Sequence, residues 1–283
     1  MRIGFISDLH IDFNRHHKFP EVMAKLIVEE ELDTVVFLGD TATGAEGAIG
    51  FYDKLSALTK AQIRAVPGNH DIYAEKAVHL TADLIEREAE SNLKKILYHP
   101  KYSLLVNPVV TKRWAVTGLG GWFDYSFEKN FPEIDFEKAS QNFVSKYLWP
   151  DEKLIHGGKP DYRRDRKQVI HDIRLIKEAF DQEECKGKRR CVAMHMLPTK
   201  SLITKYPVPF YSKFTNQLGS ERYRSFFENN NVELSISGHS HMPKKIVKNG
   251  IVYVNVSLGY NFQWSNPSDA LEEIRKVMYV LED

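Results

Sequence analysis

Cysteine is scarce in this sequence. Cys185 and Cys191 are the two present, and their spacing matches neither a disulfide framework nor a common zinc pattern. They flank the basic stretch at residues 186–190, so we expect one loop thiol and one buried strand thiol in a reduced, cytoplasmic protein. Long apolar runs are missing as well. Nothing approaches the roughly 18 residues of a membrane span, and the opening run from Ile3 to Ser7 is cut by Asp8, too short for a signal-peptide core. Neither sign of charge dominates, since 39 Lys+Arg meet 38 Asp+Glu for a net +1. Without a global field, wrapping extended nucleic acid or lying on an acidic membrane is disfavoured, and any phosphate recognition is local. Internal repeats and low-complexity segments are also lacking.

What is present reads as a globular chain. Its 283 residues, 42% apolar and 27% charged, suffice for one large domain spanning 1–283. The first half alternates. Short β-branched runs at 2–7, 34–38 and 62–66 predict buried strands, and helical patterns at 20–31 and 46–58 lie between them. That order implies right-handed crossovers, a mainly parallel sheet and an α/β fold class. A charged helix is expected over 74–92, then further strands at 114–117, 191–194, 233–237, 245–247 and 251–256. Asn249-Gly250 between the last two is a hairpin signal. The segment 122–184 differs. A stripe at Phe136, Ala139, Phe143 and Tyr147, and another at Val169, Ile173, Ile176 and Phe180, predict two amphipathic helices joined by 149–164. We read 122–184 as a helical insertion or cap on the α/β body.

Five short motifs stand at expected strand ends: Asp8-Leu9-His10, Gly39-Asp40, Gly68-Asn69-His70-Asp71, His195, and Gly238-His239-Ser240-His241. Sites in open α/β sheets form where strands leave the sheet at their carboxyl ends. In extended chain, residues two apart point the same way, so Asp8 with His10, and His239 with His241, would each face one site. Imidazole nitrogen mixed with carboxylate and amide oxygen suits borderline divalent metals such as Mn, Fe, Co or Zn. Seven ligands of this kind exceed what one tetrahedral ion takes, so two ions are more natural.

The ordered set resembles the calcineurin-like metallophosphoesterases, whose pattern D-x-H, G-D, G-N-H-D/E, a lone H and G-H-x-H is met in full between residues 8 and 241. The resemblance implies a four-layer αββα sandwich of two mixed sheets flanked by helices. It also implies two divalent transition-metal ions (Mn, Fe or Zn). One would be held by Asp8, His10, Asp40 and His241, the other by Asp40, Asn69, His195 and His239, with Asp40 bridging. The implied reaction is in-line attack on phosphorus by a hydroxide between the metals. His70 would act as acid or charge stabiliser, and Asp71 would either orient its ring or serve as a turn residue. The expected partner is a small phosphorylated substrate, with a nucleotide among the candidates. A phosphodiesterase is the first reading, a phosphomonoesterase or nucleotide hydrolase the second, and a non-catalytic metal-binding scaffold the most remote.

Other features are weighed as structural. Arg163, Arg164 and Arg166 with Lys188, Arg189 and Arg190 read more readily as solvated faces than as a phosphate rim. Gly118-Leu119-Gly120-Gly121 lacks the residues that complete a nucleotide loop. Among the aromatics Trp122, Phe123, Tyr125, Tyr206, Phe210, Tyr211, Tyr260 and Trp264, those from Trp122 to Tyr125 are expected nearest the site.

Overall fold

The run Thr34–Leu38 is buried at every residue, which requires a strand covered on both faces. In the computed structural model this strand, β2, lies parallel to β1 (Arg2–Ile6) and β3 (Gln62–Val66) on either side. The structure describes residues 1–75, 77–127, 150–158, 161–204 and 211–283. A second sheet is built from β4 (Val109–Val110), β5 (Trp114–Leu119), β6 (Arg189–Met194), β7 (Val232–Ser237), β8 (Lys244–Lys248) and β9 (Ile251–Asn255). Its order is β4-β5-β6-β7-β9-β8, parallel from β5 through β9 with an antiparallel strand at each edge. The strand β10 (Tyr279–Glu282) returns to the first sheet and pairs antiparallel with β1, so both sheets are mixed.

Side-chain alternation along these strands produces the layers. Ile3, Phe5, Val36 and Leu38 of the first sheet meet Val116, Cys191, Ala193, Ile236 and Val254 of the second in one shared core. On the other face of the first sheet, Val35, Phe37 and Ile63 pack under α1 (Phe19–Glu29) and α2 (Ala45–Leu58). Then come the short α3 (Asn69–Ile72), α4 (Ala82–Leu97), α5 (Pro150–Leu154), α6 (Tyr162–Phe180), α7 (Glu221–Asn229) and α8 (Ala270–Val277). Of these, α8 joins the helices of the first sheet through Ile274, while α6 and α7 cover the second through Val169, Ile176, Tyr223 and Phe227. The expected αββα sandwich is what forms.

Local physics accounts for most boundaries. Pro20 sits in the first turn of α1, where its missing N–H costs nothing. Asp161 caps α6 by accepting the N–H groups of Arg163 and Arg164. The helix expected over 74–92 is displaced: the Ala74 N–H goes to the Leu154 carbonyl, and α4 starts only after Thr81. The 149–164 segment, expected as a connector, contains α5. The stripe at Val169–Phe180 forms α6, an outer-layer helix; the stripe from Phe136 to Tyr147 lies outside the described residues. Cys191 is the buried strand thiol expected, but Cys185 is buried too, and both are free. Among the described residues no helix is long and apolar enough to cross a membrane.

Candidate metal centre

The carboxyl ends of β1, β2, β3, β6 and β7 converge, and each delivers one of the five motifs to the same place. The loops are knitted together by backbone bonds: Asp8 N–H donates to Gly39 O and His10 N–H to Asp40 O, both at 3.0 Å. The packing between them leaves no room for a side chain at Gly39 or Gly68. A Cβ on Gly39, whose φ is +82°, would lie 2.4 Å from Gly68 N, and one on Gly68 would lie 2.2 Å from Asp40 Oδ1.

The ligand pairs do not converge because the chain is extended. Asp8 (φ 60°), His10 (43°), Asp40 (52°), His239 (69°) and His241 (53°) are all left-handed, and they make up five of the nine non-glycine residues with positive φ among the described residues. Backbone strain is thus concentrated at the cluster, where the loops turn their side chains inward.

The side chains form two groups that share Asp40. In the first, Asp8 Oδ1 lies 3.4 Å from His241 Nε2 and 4.0 Å from His10 Nε2, which is 3.8 Å from Asp40 Oδ2. In the second, His195 Nε2 lies 3.5 Å from Asp40 Oδ1, 2.9 Å from Asn69 Oδ1 and 3.1 Å from His239 Nδ1. Asp40 therefore turns one oxygen to each group. All seven residues named from the sequence are brought together.

Outer partners fix which atoms point inward. His195 Nδ1 donates to Leu38 O at 2.8 Å, leaving a lone pair on Nε2. The Asn69 amide gives its Nδ2 hydrogens to Tyr73 OH (3.0 Å) and Asp151 Oδ1 (2.9 Å), which aims its oxygen at that same lone pair. Two acceptors thus face each other with no proton between them. In the other group His241 Nδ1 donates to Gln263 Oε1 at 3.0 Å, so its Nε2 lone pair faces Asp8 Oδ1, a buried oxygen with no hydrogen-bond donor. Acceptors converging in this way are mutually repulsive by themselves and fit cations between them.

Electrostatics agrees. Burial, reinforced by the charges of Asp8 and Asp71, pushes the Asp40 carboxyl well above the usual carboxylate range. Burial opposes ionisation of Asp8 as well, but positive charge placed at His241, His195 and His10 around it would hold its carboxyl low, the same pull a bound cation would exert. Burial pulls His10, His195 and His239 below the ordinary imidazole value, which keeps them neutral and able to ligate.

His70 stands at the edge of the cluster. Its side chain is 18% exposed where His10 and His195 are fully buried, its Nε2 is 4.0 Å from Asp40 Oδ2, and its N–H donates to Asp40 Oδ1 at 2.8 Å. Asp71 does not have the orienting role offered for it. Its oxygens accept the N–H groups of Asp40 (2.8 Å), Thr41 (2.9 Å), Ala42 (3.1 Å) and Gly68 (2.8 Å), so it stitches two loops together, which is the turn reading. The His70 ring is instead packed between Tyr73 and His10, with centroids at 4.6 and 4.7 Å.

Sequence reasoning missed Asp151, Tyr73 and Gln263, and no local motif marks them. Of the aromatics, Trp122 lines a cavity together with Gly68, Asn69 and His195. Trp122 and Tyr125 are buried and donate to Asp165, both at 2.9 Å, whereas Tyr260 stacks on His10 at 4.5 Å with the exposed Phe13 and Phe262 against it. Tyr206 and Phe210 lie outside the described residues. Arg164 pairs with Glu152 and Arg189 with Glu233, the latter at the end of β6 remote from His195, so the two basic groups form no common rim.

Residues 1–243 match the family model described as calcineurin-like phosphoesterase. A comparison with curated proteins finds no match. Among solved structures, the phosphopantetheinyl hydrolase of Mycobacterium tuberculosis is similar with a TM-score of 0.66 and 19% identity, covering 97% of this chain and 91% of that one. A dimetal phosphatase from Danio rerio has a TM-score of 0.46 and 12% identity, over 92% of this chain and 88% of its own. The purple acid phosphatase of yellow lupin has a TM-score of 0.41 and 13% identity, over 90% and 43%. Members of the matched family usually bind two divalent metal ions, and this chain carries candidate ligand clusters for them. With the sandwich, the strand-end cluster and the family model in agreement, the chain belongs to the calcineurin-like phosphoesterases and is a metal-dependent phosphoesterase.

Proposed function

We propose that the enzyme hydrolyses a small phosphoester with two divalent transition-metal ions, Mn, Fe or Zn, and that a phosphodiester is its preferred substrate. One ion would be held by Asp8, His10, Asp40 and His241, the other by Asp40, Asn69, His195 and His239. The observation that carries this reading is Asp40, a buried carboxylate whose two oxygens face two separate groups of acceptors. When bound, such a pair of cations polarises phosphoryl oxygens and acidifies water.

The protein's own contributions are positional. Leu38 O, Gln263 and Asp151 hold the inward atoms of His195, His241 and Asn69 in place. Asp71 fixes the Asp40 loop through four backbone donors. His70, at the partly exposed edge of the cluster, would donate a proton to the leaving oxygen or a hydrogen bond to the phosphoryl oxygens.

A specific feature favours the second reading, a nucleotide hydrolase or phosphomonoesterase. Phe13 and Phe262 are 55% and 77% exposed beside Tyr260, a rim on which a planar base could stack. Residues 1–283 would form one domain, with the segment 122–184 contributing to substrate choice, and the two free buried thiols support a cytoplasmic setting. The test is metal analysis of Mn-reconstituted protein with turnover of p-nitrophenyl phosphate and its bis-ester. Two ions per chain and faster diester cleavage support the proposal. Faster monoester cleavage favours the second reading, and absence of both metal and turnover overturns both.

A further inference from the structure

Asp151 lies in α5, within a segment that carries none of the seven ligands, yet it reaches the centre. Its Oδ1 accepts from Asn69 Nδ2 at 2.9 Å and from Tyr73 OH at 2.6 Å, and Tyr73 OH accepts the second Asn69 hydrogen at 3.0 Å. Asp151 is fully buried, and Asn69 and Tyr73 are nearly so. The three side chains form a closed triangle in which both Asn69 amide hydrogens are used. Burial beside Asp151 keeps the Tyr73 hydroxyl protonated, so it donates to the carboxylate and accepts from the amide.

This arrangement decides a question the Asn69 side chain leaves open. An amide can present either oxygen or NH2 to a site, and only the oxygen ligates a cation. Both acceptors of the triangle stand on the side away from His195, so the NH2 group is held there and the oxygen faces the His195 lone pair. The position of α5 is itself fixed, since the Leu154 carbonyl accepts the Ala74 N–H just beyond Tyr73.

We propose that Asp151, supported by Tyr73, is the positioning residue that sets the Asn69 amide, and that the affinity of the Asn69-containing metal site depends on it. The proposal rests on the two-metal reading above. It makes the segment 122–184 part of the metal-binding apparatus: replacing it would lower metal affinity at one site as well as alter substrate choice.

The test is calorimetric titration of metal-free protein with Mn2+, alongside thermal unfolding. Wild type should show two sites. Asp151→Ala removes the acceptor that holds the amide, and should weaken one site by about 10–100-fold while leaving the other unchanged. Asp151→Asn keeps a carbonyl oxygen facing Asn69 and Tyr73, and should restore most of the lost affinity. Tyr73→Phe keeps the ring against His70 and removes one acceptor, so it should give a smaller loss at the same site. If Asp151→Ala does not fold, the Tyr73→Phe result decides. Wild-type affinity at both sites in the folded variants overturns the proposal, as does equal weakening of both sites with a lowered Tm. If wild type itself binds no Mn2+, the two-metal reading fails first and takes this proposal with it.

Discussion

Two buried polar regions lie within one molecule and are built on opposite rules. At the strand ends, Asp8, Asp40, Asn69 and four histidines aim acceptors at one another. Behind them, on α6, two buried acids are each met by donors. Asp165 takes Trp122 Nε1 and Tyr125 OH, and Asp172 takes Tyr223 OH and Gln168 Nε2, at 2.7–2.9 Å. Depth and residue type do not separate the regions; satisfaction does. Buried polar groups are ordinarily paired, so a place where fixed lone pairs converge is one where the protein waits for a partner. Asp151 belongs to the satisfied region and acts on the other.

The comparison is broken most severely at Asp40. Asp40→Ala should bring hydrolysis to background and disturb both ions, whereas loss of His10 should weaken mainly one. Metal analysis after gel filtration reads this directly, and two tightly bound ions with normal turnover in Asp40→Ala would refute the shared-ligand arrangement. His70→Ala comes next. As proton donor or charge stabiliser its loss should lower kcat by ~10²–10⁴ with metal content intact. A p-nitrophenyl leaving group needs little protonation, so a smaller loss there than on an alkyl ester identifies acid catalysis, and equal losses identify charge stabilisation.

The smallest effect sharpens the satisfied side. Burial raises the Asp172 carboxyl to about 7, against the lowering effect of the Tyr223 and Gln168 hydrogen bonds. Because the folded pKa exceeds the unfolded one, the native state binds the extra proton between about pH 4 and 7. The associated stability is complete at the acid end and is lost as pH rises through 7. Wild type should therefore lose more Tm between pH 5 and pH 8 than Asp172→Asn does, by a few degrees on the order of the size-scaled value. Equal losses in the two proteins would show that Asp172 titrates normally.

How much of this was legible depended on the range of the signal. Strands at 34–38 and 62–66 were found to the residue, because a β-branched apolar run carries its own reason to be buried. The strand β10 and the helices α7 and α8 were missed: they are short, and what holds them is a distant partner such as β1 for Tyr279–Glu282. The five motifs that meet at the strand ends were legible because each is a tight local cluster, although the extended-chain reason given for them was wrong. Asp71 offered two roles, and backbone hydrogen bonding to three-dimensional neighbours decided between them. Asp151 is 82 residues from Asn69 and gave no local sign.

The left-handed backbone at the cluster carries one more consequence, for redesign. The side chains that tolerate positive φ best are Asn, Asp and His, and the five left-handed positions of the cluster hold only Asp and His. The alphabet permitted by the turns and the alphabet preferred by borderline metals therefore coincide. Exchanges that look conservative to a coordination chemist, such as His239→Cys or Asp8→Glu, keep a competent donor atom but put a less tolerant backbone into the turn. Of the proposed ligands outside that restriction, His195 is the one at which substitution would be easier, since exchanging Asn69 would also break its triangle with Asp151 and Tyr73.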